Sequence, residues 1–367
     1  MALRADKIST EELRELLDTG RPVTVLDIRA PADREWSIPG SLQVDAYDAA
    51  KSGSLGPLAE LNLGPGRVVT VCGLGRTAAR ATELLRAQGV EAVTLEGGMR
   101  AWSLAWNIAQ TTISGCEVVQ VRRTGKGCLS YIVESDSEAV VIDASLDPDV
   151  YVQLLRERGW RLVAVMDTHV HADHLSRSRL LAQQQRVELW LPFQDRTQYP
   201  FRPLKDGDRL PFGSARLVAL ATPGHTAEST TYLLDKAAAF TGDTLFLAGV
   251  GRPDLEGGAQ EESASRSRLL YQSINRLLEL PQATLVLPGH FSEPIPFDGR
   301  LLVSTIKTIR GTVALARMDQ SAFVEAVLAR IPPNPPNHAR IVELNERGEL
   351  PEDPSELEAG ANRCAIA

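Results

Sequence analysis

The chain has 367 residues, of which 43% are hydrophobic, 23% charged and only 5% aromatic, and its formal net charge is −8. This length exceeds one average domain and supplies two cores. Interspersed acidic and basic residues exclude the basic footprint of a nucleic-acid binder and give no attraction to an anionic membrane.

The opening stretch, "MALRADKISTEELRELLDTG", reads as a charged helix with Ser9 as its N-cap and acids in the first turn. It has no apolar leader, and no run of about 18 uncharged apolar residues occurs further on, so a cytoplasmic protein without a membrane span is expected. "PVTVLDIR", "RVVTVC" and "EAVTLEGG" read as buried strands, with the amphipathic helix "TAARATELLRAQG" closed by Gly89 before the third. Alternation of this length predicts a parallel sheet covered by helices. From about residue 117 the pattern changes to hairpin-like strands, "EVVQVR", "LSYIVES" and "EAVVIDAS". The helix "PDVYVQLLRERG" and the strand "RLVAVMDTH" follow, then strands near "ARLVALATPG", "TTYLLD" and "AAFTGD". The last third reads as helical ("SRSRLLYQSINRLLEL") and ends in a Pro-rich tail. Two units are expected, residues 1–108 and 112–367, joined by a short segment near Trp106–Thr112 that brings them into contact.

Five of the six histidines stand where a metal would need them. "DTHVHADH" delivers His169 and His171 at a strand end, where two residues of extended chain put them on one side. Asp173 and His174 follow where a helix should begin. "TPGHT" places His225, "TGDT" Asp243 and "LPGH" His290 just past later strands, so all gather over one sheet edge. Imidazole and carboxylate donors without a thiolate in the cluster suit zinc, iron or manganese. Only His338, in the Pro-rich tail, stands apart.

These motifs resemble, in order, those of the metallo-β-lactamase superfamily over residues 113 to about 345. The resemblance implies an αβ/βα sandwich with a metal at one edge. In hydrolytic relatives it implies two zinc ions, Asp243 bridging them, and a metal-bound water that attacks an ester, thioester or lactam. "LAGVGRPDL", immediately after "TGDTLF", and the tail "AGANRCA" are similar instead to the persulfide dioxygenases. That resemblance implies one Fe(II) per chain, held by His169, His225 and Asp243. His171, Asp173, His174 and His290 would then orient ligands or hold water, and Arg252 would position carboxylates or the substrate persulfide. The expected reaction takes glutathione persulfide, or a similar small persulfide, with O₂ and water to sulfite and the thiol. Phe291 and Ser292 depart from the Asp-Tyr that animal and plant-type enzymes carry after "PGH".

In the first unit, "VCGLGRTA" sets Cys72 at a strand end before glycines and a helix. Backbone N–H groups around Gly73 and Gly75, the helix N-terminus and Arg76 would favour a thiolate there. With "LDIRAPADREWSIPGSLQVD" and "LEGGMRAW", this loop resembles the rhodanese family over residues 7 to about 105. The resemblance implies a Cys72 persulfide that exchanges sulfur with thiosulfate or sulfite. Phosphatases of the same fold need an arginine six positions after the cysteine, which here is Ala78. Cys116 and Cys128 read as core residues and Cys364 as an end residue.

The alternative to the dioxygenase is a dinuclear zinc thioesterase of the glyoxalase II type with an accessory rhodanese domain. A sulfur carrier without metal chemistry is a third reading. Partners are small molecules (persulfide, thiosulfate or sulfite, and O₂), with no nucleic acid and no membrane; a homodimer is compatible with the composition.

Overall fold

The computed structural model describes residues 6–63, 66–255, 260–335 and 337–367. The first five residues of the expected N-terminal helix lie outside that set; the helix itself is Thr10–Asp18, with Ser9 and Glu12 forming a reciprocal capping box.

In the N-terminal unit five parallel strands run in the spatial order Lys7–Ile8, Ala92–Leu95, Arg67–Val71, Val23–Asp27 and Leu42–Gln43. Both faces are apolar. Leu26, Val68 and Leu85 fill one side, and Val25, Val69, Leu13 and Trp102 the other. This near-continuous burial is what a parallel sheet requires.

The larger unit packs a seven-stranded sheet against a six-stranded one. Val118, Tyr131, Val140 and Met166 from the first sheet meet Leu217, Tyr232, Phe240 and Leu287 from the second. Helices Pro148–Arg158 and Ser178–Gln185 cover the outer face of one sheet, and Gln260–Leu278, Ile306–Thr312 and Gln320–Ala329 that of the other. The result is the expected αβ/βα sandwich behind a rhodanese-like α/β unit.

Several elements differ from the sequence reading. Asn107–Ile113 is a full strand paired antiparallel with Cys116–Arg123, so it belongs to the second unit and the join contracts to the few residues before Asn107. The boundary at 108 is corrected accordingly. Glu188–Pro192, Arg202–Leu204 and Arg209–Phe212 are strands that the hydrophobic pattern did not announce. The helix after "DTHVHADH" begins at Ser178, beyond Asp173 and His174. The Pro-rich tail contains a helix, His338–Arg347, that buries Ile341, Leu344 and Asn345. No described helix is long and apolar enough to cross a membrane.

Candidate metal centre and cysteine loop

Four strands deliver the metal-site residues. His169 follows Arg161–Met166, His225 follows Ala215–Ala221, Asp243 directly follows Ala238–Gly242, and His290 follows Leu285–Pro288. All four are buried. His169 Nε2 and His225 Nε2 lie 3.9 and 3.5 Å from Asp243 Oδ2. None of these three atoms has a hydrogen-bond partner. Buried polar atoms are ordinarily satisfied, so three orphans converging on one point form a donor set that fits a cation.

The surrounding hydrogen bonds fix which atoms face inward. The Thr168 hydroxyl donates to Asp143 Oδ2 at 2.9 Å, so its oxygen accepts from His169 Nδ1, also at 2.9 Å. His225 Nδ1 donates to the Arg252 carbonyl oxygen at 2.8 Å. Each imidazole therefore keeps its proton on Nδ1 and turns the lone pair of Nε2 to the site. Burial, reinforced by the charge of His171, holds His169 well below the ordinary histidine range and keeps it neutral, the form a metal binds. Burial would raise Asp243, but the charge and hydrogen bond of His290 outweigh it and hold Asp243 as a carboxylate.

His169 and His171 lie side by side, with ring centroids 4.3 Å apart, although residues 167–174 form bends and irregular backbone and not a strand. His171 Nε2 faces Asp143 Oδ1 at 3.3 Å and Asp167 Oδ1 at 4.0 Å. Burial opposes the charged form, yet the Asp143 hydrogen bond and the charges of Asp143 and Asp167 raise His171 to about 9. Asp173, His174 and His290 form a second group. His290 Nδ1 donates to Asp243 Oδ1 at 2.5 Å, and its Nε2 lies 2.9 Å from Asp173 Oδ2. His174 Nδ1 lies 3.0 Å from Asp173 Oδ1, and burial lowers His174 to about 4.

Arg252 sits fully buried, and its donors are all engaged. Nε and Nη2 grip Asp254, Nη1 donates to the carbonyls of Pro333 and Arg363, and Nη2 also reaches Asn334. No N–H is left for a substrate. The arginine ties the C-terminal segment to the site and positions His225 through its carbonyl, which differs from the substrate contact expected of it.

Some positioning residues carried no sequence signal. Asn345 Nδ2 donates to the carbonyls of both His171 and His174, and Asn362 Nδ2 donates to Asp173 Oδ2 at 2.8 Å. Both lie far along the chain, where only the fold brings them near. Thr168 stood inside the quoted motif, and a hydroxyl beside a ligand is the signal that could have marked it. An apolar cavity of about 390 Å³ opens on His290, walled by Phe246, Phe291, Ile295 and Leu302.

In the N-terminal unit Cys72 ends Arg67–Val71 and is buried, with the Ala78 N–H 3.4 Å from its Sγ. Helix Arg76–Ala87 starts just beyond it, with Gly75 at its N-cap in the left-handed region (φ 82°). The Gly98 backbone closes against the loop; a Cβ there would lie 2.2 Å from the Cys72 carbonyl oxygen. Gly73, Leu74 and Arg76 are exposed. Leu74 and Arg76 edge a cavity of about 290 Å³ whose far wall is Asp353 and Ser355 of the larger unit.

Residues 123–290 match the family described as Metallo-beta-lactamase superfamily, and residues 9–105 match Rhodanese-like domain. A Hydroxyacylglutathione hydrolase of Brucella anthropi is 38% identical over 173 residues, 44% of this chain and 63% of the relative, so the match spans less than two thirds of that protein. The protein of the same name from Brucella ovis is 31% identical over 223 residues, 55% of this chain and 83% of the relative. Among solved structures, ETHE1 from Myxococcus xanthus aligns over 66% of this chain and 100% of its own, at 28% identity and a TM-score of 0.54. A metallo-beta-lactamase from Staphylococcus aureus aligns over 66% and 74% at 24% identity and a TM-score of 0.58, a likeness of fold alone.

Proposed function

The chain belongs to the metallo-beta-lactamase superfamily and carries a rhodanese-like domain ahead of that fold; on this premise we propose that it is a mononuclear iron(II) persulfide dioxygenase coupled to a sulfurtransferase. One observation carries the reading. His169, His225 and Asp243 each offer an unsatisfied atom to a common point, while His171 is turned to Asp143 and Asp167. Two imidazoles and one carboxylate on a face suit Fe(II), which when bound would supply O₂ binding and activation with positions open for a sulfur ligand. The full-length likeness to ETHE1 supports the same side.

The residues then have distinct tasks. Thr168 and the Arg252 carbonyl hold the two imidazoles in the ligating tautomer, and His290 holds Asp243 by its free oxygen. Burial keeps bulk water from the reacting atoms. The persulfide's terminal sulfur leaves as sulfite, O₂ and water supply the oxygen atoms, and the thiol and two protons are released. In the other domain Cys72 attacks the outer sulfur of thiosulfate, releasing sulfite, and a small thiol takes that sulfur from the Cys72 persulfide to become the dioxygenase substrate.

The names of the Brucella relatives favour a second reading, a zinc-dependent thioesterase acting on glutathione thioesters. Variants separate the two. With persulfide supplied directly, His225→Ala and Asp243→Asn should abolish O₂ uptake and Cys72→Ser should retain it, whereas thiosulfate plus thiol should support uptake only when Cys72 is present. O₂ uptake that survives His225→Ala, or is absent from the wild type while thioester hydrolysis is rapid, overturns the proposal.

A further inference from the structure

The cavity that opens on His290 has a volume of about 390 Å³, at the lower end of small-molecule sites. Its walls come from two stretches that each follow a site residue. Phe246 and Leu247 lie just past Asp243, and Phe291, Ile295 and Leu302 lie past His290. The second stretch is pinned by a buried amide: the Leu302 N–H donates to Gln120 Oε1 at 2.9 Å, and Gln120 Nε2 donates to the Leu302 carbonyl at 3.0 Å. Phe291 is backed by Trp36, with ring centroids 5.9 Å apart. The fold therefore builds this cavity, and it ends beside the metal centre, because the bordering His290 donates to Asp243 at 2.5 Å.

What the walls lack decides the occupant. Among the described residues that line it none is a lysine or an arginine, and the acid Glu293 is exposed. His290 turns its nitrogens away, Nδ1 to Asp243 and Nε2 to within 2.9 Å of Asp173. The N–H groups of Phe246 and Phe291 are spent on the carbonyls of Gly249 and Gly127, each at 2.9 Å. A carboxylate entering here would lose its water and gain neither a cation nor a proton from these groups. Glutathione, with two carboxylates against one ammonium, also carries the wrong sign of charge beside Glu293. An alkyl or aryl group instead takes its own surface and that of the wall out of water together.

We propose that this cavity takes the organic group of the sulfur substrate and that the group is uncharged and apolar, so the preferred substrate is an alkyl or aryl persulfide. Glutathione persulfide still reacts, with its charged ends left in water, but needs a higher concentration for the same rate. The substrate assignment rests on the persulfide-oxidising reading of the centre, whereas binding of an apolar group rests on the walls alone.

Oxygen uptake by the iron-loaded full chain, measured with ethyl, butyl and hexyl persulfides and with glutathione persulfide, tests it. KM should fall roughly fourfold for each added methylene that enters the cavity, with kcat little changed. Hexyl persulfide should have a KM at least about tenfold below that of glutathione persulfide. Ile295→Arg, which puts a cation on the wall, should reverse that order. A KM that is flat along the alkyl series, a glutathione persulfide KM equal to or below that of hexyl persulfide, or an order unmoved by Ile295→Arg in folded protein overturns the proposal. Should Ile295→Arg fail to fold by circular dichroism, the wild-type series decides. If no persulfide supports uptake, the substrate assignment falls with the oxidising reading. Calorimetric titration of the wild-type chain with 1-hexanethiol and with glutathione then decides the cavity: roughly tenfold tighter binding of hexanethiol is expected, and equal or weaker binding overturns the apolar preference.

Discussion

Each ligand histidine in this chain has one nitrogen committed to the protein, and that commitment aims the other. Thr168 does this for His169 by a chain of hydrogen bonds that ends on Asp143. Thr168→Val keeps the shape and removes the acceptor, so affinity for a metal at this centre should fall about 10- to 100-fold with little change in the melting temperature. Competition with a chelator measures it, and an unchanged affinity would show that Thr168 does not orient the ring. The candidate ligand residues were legible in the sequence because a metal needs particular donor types, each supplied directly after a strand. The partners of His171 were not legible: which way a ring turns depends on Asp143, 28 positions away in chain order. Arg252 was legible as an arginine close to the site, but its burial and its occupied donors are properties of the folded tail.

Elements far apart in sequence hold the site's edge together, and the C-terminal segment does most of this. Glu358 is wholly buried between Arg123, on a strand of the first sheet, and Arg177, just before a helix, and it accepts the Leu175 N–H. Burial by itself would raise Glu358, but the charges of Arg123 and Arg177 prevail and hold it well below the ordinary value of 4.5. A depressed carboxylate stabilises the fold fully above that ordinary value, and the contribution is lost as pH falls from about 4.5 toward the folded-state value. Glu358→Gln should cost about 3–5 kcal/mol at neutral pH, since it leaves two buried guanidinium groups against a neutral amide. The gap between variant and wild type in urea denaturation should narrow as the solution is acidified through that window; a constant gap would show that the charge of Glu358 is not what stabilises the segment. Periodicity revealed the long strands and helices here. It missed Asn107–Ile113 because "NIAQTTI" does not alternate apolar with polar: a polar Asn107 is buried with Ala109 and Ile113, while Thr111 is only half-buried and Ile108 lies on the opposite face. The helix in the Pro-rich tail was obscured by the prolines that precede it.

At the scale of the whole molecule, the two domains meet through backbone as much as through side chains. Trp36 Nε1 donates to the Thr124 carbonyl at 2.9 Å, Arg123 Nε donates to the Ser103 carbonyl at 2.8 Å, and Trp102 and Trp36 face Phe297 and Phe291. Gly125 allows this closeness, for a Cβ there would lie 1.7 Å from the Trp102 carbonyl oxygen. Gly125→Ala should therefore loosen the domains and split one calorimetric unfolding transition into two; a single unshifted transition would show that the contact does not couple them. Phe291 joins this contact to the cavity that opens on His290, and the second cavity lies between the Cys72 loop and Asp353. Under the proposed function these domains serve one chemistry, the oxidation of a persulfide sulfur. Its most direct test is oxygen consumption by anaerobically purified, iron-loaded protein on addition of glutathione persulfide, with iron content and hydrolysis of a glutathione thioester followed on the same sample. Rapid uptake with sulfite formed, about one iron per chain and no thioester cleavage is the predicted result. Thioester cleavage without oxygen uptake would contradict it.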